Sequence, residues 1–332
     1  MHSIFGDILL RQQTFEQISV VVQGPVQNYQ GRTHHEEGIT QRCLESIRTH
    51  LPGAKIILST WPDQDLTGLS YDQLVISQDP GVNLVDGLPQ FPKNYDRQLV
   101  STQAGLAQVT TPYAIKLRSD NYLIGNDFIS IQQTFSKYES DQKLFNEKVV
   151  INSNLFRRTS HGRTVLMSPS DFFYFGTTED LKKIWQLPLI AEQPIAEEMI
   201  TIMKSASITS CTLEAEQFYC QIWLKALNPK TKVMQHRFDY TQKDIIAWER
   251  FLASNIIIAD PETMGLGLRK ISKRKLKRAN EFSHIDWLKL YKKYCDHSIT
   301  ISKNYHQWLL EIRRAFKLPL SNLSSRFKHR IE

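Results

Sequence analysis

The segment YAIKLRSDN (113–121) sets Lys116, Arg118 and Asp120 at every second position of a run that turns from apolar to polar. Side chains alternate along a strand, so these three share one face. A carboxylate at a strand tip with two cations behind it suits a phosphorylated ligand. The carboxylate offers oxygen to a hard divalent ion, and a guanidinium offers paired N–H donors to phosphate. Asp and Asn also close strands into turns, so the same residues read as a plain strand end. Three further groups stand at or just after the ends of strand-like runs: Gln23, Gly24 and Pro25; Thr60 and Trp61; Asp79 with Pro80 and Gly81. Among them Gly24 is the residue that lets a ligand approach the backbone closely.

The elements that must position these residues alternate. ISVVVQ is a β-branched run of the kind buried on both faces. Ile39, Cys43, Leu44, Ile47 and Leu51 then recur at helical spacing before Pro52-Gly53. KIILST (55–60) and DQLVIS (72–77) read as strands, 79–93 as a loop, 94–108 as a helix, and YAIKLRSD as the next strand. Strand followed by helix, repeated, argues for a mostly parallel sheet with right-handed crossovers. Farther on, 148–154 and 164–176 look like strands, 178–186, 213–227 and 241–254 like helices, and NIIIAD like a late strand. In an open parallel sheet, ligands bind beyond the carboxyl ends of the strands, so the four groups fall on one rim.

With 41% apolar and 10% aromatic residues, the 332-residue composition is that of a folded chain rather than a disordered one. No run of about 18 uncharged apolar residues encodes a spanning helix, and the first residues do not read as a signal peptide. Cys43, Cys211, Cys220 and Cys295 lack metal-ligand spacing and read as reduced thiols of a cytoplasmic protein. Charge is uneven: residues 269–332 hold 17 Lys/Arg against 5 Asp/Glu, whereas the preceding 268 hold 24 against 29. The expected organisation is a catalytic domain over 1–268 followed by a basic helical region, 269–332, with amphipathic stretches near 284–294 and 304–316. The basic region predicts an anionic partner, with inner-membrane lipid preferred. With an acidic body and no recognisable nucleic-acid motif, no nucleic acid is expected.

Taken in order, VVVQGPV, LPGAKIILSTWPDQD, NYDRQ, KLRSDN, DFFYFG and IIIADPETMGLGLRK resemble the WavE-type lipopolysaccharide-synthesis proteins, within the GT-A fold of glycosyltransferases. The resemblance implies an α/β, GT-A-like sheet and transfer of a sugar from a nucleotide-sugar donor onto a saccharide or lipid-linked saccharide acceptor. It further implies a divalent cation, Mn²⁺ or Mg²⁺, held at the strand-end motif by its last carboxylate, here Asp120. Arg118 occupies the place of the usual first Asp and departs from the pattern. His236 matches a late histidine that touches metal or diphosphate in many such enzymes. Glu216, with Glu214 in reserve, matches the acidic helix start that supplies a general base. Asp171 matches a position beside the acceptor pocket, and a strand-start cap is its alternative. Gln23, Gly24, Pro25, Thr60, Asp79, Arg97, Lys116 and Arg118 are the expected donor contacts.

Overall fold

The computed structural model describes residues 14–26, 38–85, 88–189, 213, 215–234, 236–268 and 278–328. β1 (Ile18–Gln23) lies at the heart of a seven-stranded sheet, with all six of its residues buried. Its neighbours are β2 (Lys55–Thr60) and β6 (Tyr113–Arg118), both parallel to it, and β3 (Gln73–Ile76) pairs in parallel outside β2. Beyond β6 come β11 (Phe173–Thr177), β8 (Val149–Asn152) and β12 (Ile256–Ala259), giving the order β12-β8-β11-β6-β1-β2-β3. Only β11 runs against the rest of this sheet, pairing antiparallel with both β6 and β8. The expected mostly parallel, GT-A-like sheet is thus present.

Helices cover both faces. α1 (Ile39–His50) follows β1 and buries Ile39, Cys43, Leu44 and Ile47. α2 (Tyr95–Ala107) packs on β1 and β2 through Leu99, Ser101, Thr102, Gly105 and Leu106. Gly105 permits this approach: a Cβ there would stand 2.3 Å from Val21 Cγ1. α3 (Phe128–Thr134) sets Phe128 against Phe173 and Phe175, with ring centroids 5.1 and 5.0 Å away. α4 (Thr178–Trp185) is capped by the Thr177 hydroxyl, which accepts from the Asp180 amide. α5 (Ala215–Leu227), α6 (Gln242–Asn255), the short α7 (Pro261–Met264), α8 (His284–Tyr294) and α9 (Tyr305–Lys328) complete the order.

Several segments depart from the pattern reading. The stretch 79–93 contains an antiparallel pair, β4 (Asn83–Val85) with β5 (Leu88–Lys93), not loop alone. Within 164–176, the expected long strand is split: Thr164 ends a two-residue strand, β11 begins only at Phe173, and Met167 between them takes the left-handed region (φ 55°). β7 (Asn121–Leu123) pairs antiparallel with β13 (Leu266–Leu268) across 145 positions, a match no local pattern announces.

The charge change at 268/269 does not coincide with a break in the core. Trp287 and Tyr291 of α8 belong to the same hydrophobic cluster as the sheet, and Trp287 Nε1 donates to Leu252 O at 3.1 Å. Arg314 of α9 is buried and forks onto Asp286 at 2.9 and 2.7 Å. α9 also passes over Gly162 in the turn between β9 (Thr159–Ser160) and β10 (Arg163–Thr164), where a Cβ would meet Leu318 O at 2.3 Å. The basic residues Arg269, Lys270, Lys273, Arg274, Lys275 and Lys277 lie outside the described residues.

Candidate functional site at the carboxyl edge of the sheet

All six parallel strands end on one edge, and β11, running the other way, begins there. That geometry gathers Gln23-Gly24, Thr60, Arg118-Asp120, Ser153-Asn154 and Asp260 from the carboxyl ends, with Asp171 from the amino end of β11.

The register explains the central cluster. β11 pairs Phe173 with Leu117 and Tyr174 with Lys116, and Arg118 N donates to Phe172 O at 3.2 Å. Asp171 therefore arrives beside the turn that follows β6. Arg118 Nε and Nη2 donate to the two oxygens of Asp120, each at 3.0 Å, while Nη1 donates to Asp171 Oδ2 at 3.0 Å. Gln98 Nε2 of α2 donates to the same Asp171 oxygen at 2.8 Å. Lys116 is fully buried, donates through Nζ to the Asp171 carbonyl, and sits 4.7 Å from the centre of the Trp185 ring. The Phe172 ring lies under the Arg118 guanidinium at 4.8 Å.

These contacts set the charge states. Burial pulls the Lys116 amine down to about 7, with Asp171 opposing the shift and Arg118 adding to it. For Asp171, burial favours the neutral acid, but Arg118 and Lys116 outweigh it and hold the carboxyl below its usual range. Burial likewise works against the Arg118 cation, and Asp171 and Asp120 reverse it, raising the guanidinium above its ordinary value. The result is a fixed cation on the rim whose side chain is 27% exposed.

Around it, backbone and hydroxyls lace the strand ends together. Gly24 takes φ +117°, its N–H donates to Ser59 O at 3.1 Å, and a Cβ there would stand 3.2 Å from Ser119 Oγ. Ser119 N donates to Gln23 O at 3.0 Å and Ser119 Oγ to Pro25 O at 2.7 Å. The Gln23 side chain turns inward, where Oε1 accepts from Ser101 Oγ at 2.8 Å. Among the described residues, the buried Thr60 Oγ1 has no hydrogen-bond partner. Asp79 and Arg97 form a two-pronged pair at 2.7 and 2.6 Å, and Arg97 first among several contacts holds the Asp79 carboxyl low. This pair ties the segment after β3 to α2.

The other expected residues are placed as follows. Glu216 is half-buried in the first turn of α5, and its charge acts with that of Asp171 on the buried Tyr174 and Tyr219 hydroxyls, whose high pKa burial dominates. Glu214 lies outside the described residues. His236 is exposed, and its Nδ1 accepts from Phe238 N at 3.2 Å, a local turn contact. All four aromatics Phe172–Phe175 are buried, so neither face of that run is left open as a sugar-stacking surface.

Tested against a divalent cation, the donor set around Asp120 fits poorly. Both Asp120 oxygens are already held by one guanidinium, and the next carboxylate, Asp171, shares that same cation. A hard ion needs several oxygens unencumbered by a competing cation. Among the described residues no group of three His, Cys, Asp or Glu is arranged to hold a metal.

Pattern reading missed the second half of the rim. A cavity of about 560 Å³ opens there, lined by Ser153, Asn154 and Asp260 together with residues of α8 and α9. Asp260 Oδ1 accepts from Ser153 Oγ at 2.8 Å and from His284 N at 3.0 Å. Among the described residues, the buried Asn154 amide nitrogen has no hydrogen-bond partner. The one signal in the sequence was position: Asp260 and Asn154 follow the apolar runs IIIA and VVIN.

Sheet order and the single reversed strand define an α/β protein with a GT-A-like fold and a charged rim at the carboxyl edge of its sheet. The family model for WavE lipopolysaccharide synthesis matches residues 18–319, nearly the whole chain, and the protein belongs to that family. Its role therefore lies in lipopolysaccharide synthesis. No curated protein matches the chain.

Proposed function

We propose that the protein is a glycosyltransferase that moves a sugar from a nucleotide-diphosphate donor to a hydroxyl of a lipopolysaccharide-type saccharide. The observation carrying this reading is the Arg118 guanidinium, fixed by two carboxylates at the end of β6. A guanidinium has five N–H donors, and three are engaged by Asp120 and Asp171, which leaves two for diphosphate oxygens. Gly24, across the rim, supplies a stretch of backbone without a side chain. Asp120 and Asp171 act as positioning residues that hold the fork; Lys116, wholly buried, supports Asp171. The acceptor saccharide occupies the cavity beside Asp260 and Asn154.

In the transfer, the acceptor oxygen forms a bond to the anomeric carbon as the bond to the diphosphate oxygen breaks. The electron pair leaves with the diphosphate, whose oxygens accept from the two remaining Arg118 N–H groups, and the acceptor proton passes to Glu216 as general base. Donor binding is tested by a thermal-shift panel of nucleotide sugars, with EDTA and with added Mn²⁺ or Mg²⁺, because a ligand that binds the folded state raises its melting temperature. Turnover of the donor so found is then followed on extracted lipopolysaccharide acceptors. Arg118→Lys, unable to fork, should raise the donor KM. Glu216→Gln should lower kcat by about 10²–10⁴-fold with donor binding retained. A panel in which no nucleotide sugar stabilises the protein, or normal turnover by Asp120→Asn, would refute the reading.

A further inference from the structure

α9 has two faces of opposite use. At about 100° per residue, Gln307, Leu310 and Arg314 fall on one side, and all three are buried against the body. On the opposite side lie Tyr305, Trp308, Ile312, Phe316, Leu320 and Leu323, within an arc of about 120° by the same geometry. These six are between 37% and 71% exposed, and they make up six of the eleven exposed large apolar side chains among the described residues. Apolar residues scattered singly over a surface are ordinary, whereas a continuous stripe running about 27 Å along one helix is not.

Charge indicates the occupant. Arg313 and Lys317 border the stripe, and both are exposed. The acid on this helix, Glu311, lies toward the opposite flank and is held by Lys289 and Lys303, each at 2.8 Å. The helix also cannot swing away to bury its stripe on the body, because the Arg314 fork on Asp286 and the contact over Gly162 fix its inner face. No helix among the described residues is long and apolar enough to cross a membrane. An amphipathic helix with Trp, Tyr and Phe on its apolar face and cations along the margin lies in the plane of a lipid–water interface.

We infer that the outer face of α9 is a membrane-docking surface that seats the protein on an anionic bilayer, with Trp308 and Phe316 inserted among the acyl chains and Arg313 and Lys317 at the headgroups. This surface operates whether or not the rim transfers sugar, so failure of one reading leaves the other standing. It would hold the catalytic edge at the surface where a lipid-anchored saccharide is found.

The test uses the full chain and vesicles of phosphatidylcholine with or without phosphatidylglycerol. Of the six tryptophans, Trp61, Trp185, Trp223, Trp248 and Trp287 are buried and Trp308 is 55% exposed. Acyl-brominated lipid should therefore quench Trp308 selectively, and Trp308→Phe should abolish the quenching. Each cation near an anionic surface contributes about fivefold to partitioning, so Arg313→Gln with Lys317→Gln should weaken binding about 25-fold, as should raised salt in part. Phe316→Ser with Leu320→Ser should abolish insertion while leaving the melting temperature unchanged, because both side chains are exposed. Three results would overturn the inference: no binding to anionic vesicles at low salt, unchanged binding by the Phe316/Leu320 variant, or a concentration-dependent dimer that this variant dissolves.

Discussion

Lys116 offers a quantitative check on the electrostatics of the rim. Its ammonium is buried completely, and its pKa falls from 10.5 to about 7, burial being the main cause. In the unfolded chain the amine keeps its ordinary pKa. Between pH 7 and 10 the unfolded state thus binds more protons than the folded state, and stability must rise with pH. Below about pH 7 both states are protonated and the contribution is level at its least favourable value. One proton at 1.36 kcal/mol per pH unit gives a gain of about 2 kcal/mol between pH 7 and pH 9. Lys116→Met keeps most of the side-chain volume and removes the titration. Urea unfolding at pH 6, 7, 8 and 9 should show wild type gaining about 2 kcal/mol on the variant from pH 7 to 9, and no relative change from 6 to below 7 beyond a few tenths. Other titrating groups, including buried Lys148, whose amine burial lowers to about 8, are common to both proteins and cancel in the comparison. Parallel stability curves for the two proteins would refute the argument that a buried amine sits behind Arg118.

Two other changes probe the packing that carries the rim. Gly105→Ala should destabilise by about 1–3 kcal/mol, although Ala ordinarily favours a helix, since the new methyl would stand 2.3 Å from Val21 Cγ1; urea midpoints decide between the two signs. Arg314→Met should cost about 3–5 kcal/mol, because it strands the buried Asp286 carboxylate that α9 now neutralises, and adding Asp286→Asn should recover part of that loss; a cost under about 1 kcal/mol would show that α9 is not fixed as described.

Much of the frame was legible because burial leaves a local signature. Runs rich in β-branched residues announced β1, β2 and β12, the shorter apolar stretch before Arg118 announced β6, and helical spacing announced α1 and α2, since each needs only its own apolar face to be recognised. Strand ends then placed Gly24, Thr60, Arg118 and Asp120 on one edge. The β7–β13 ladder went unread because a three-residue strand carries too little pattern, and its partner is remote. The reach of α9 beyond 316 went unread because Pro319 signals a stop, yet it stands on the exposed side of a helix whose inner face is already anchored.

The residue types at each strand end, the sign of the charge they bring and the alternating order of elements belong to the sequence by itself. Which of those charges meet was a tertiary decision. Asp171 lies 53 positions from Arg118 and could as well have capped its own strand; only the antiparallel register of β11 on β6 carries it to the guanidinium. That register turns Arg118 from a cation paired locally with Asp120, two positions along the chain, into a fork held by two carboxylates. The physical reason is that periodicity encodes which face of an element must be buried, a local property. The partner that buries it is selected by packing among elements far apart in the chain.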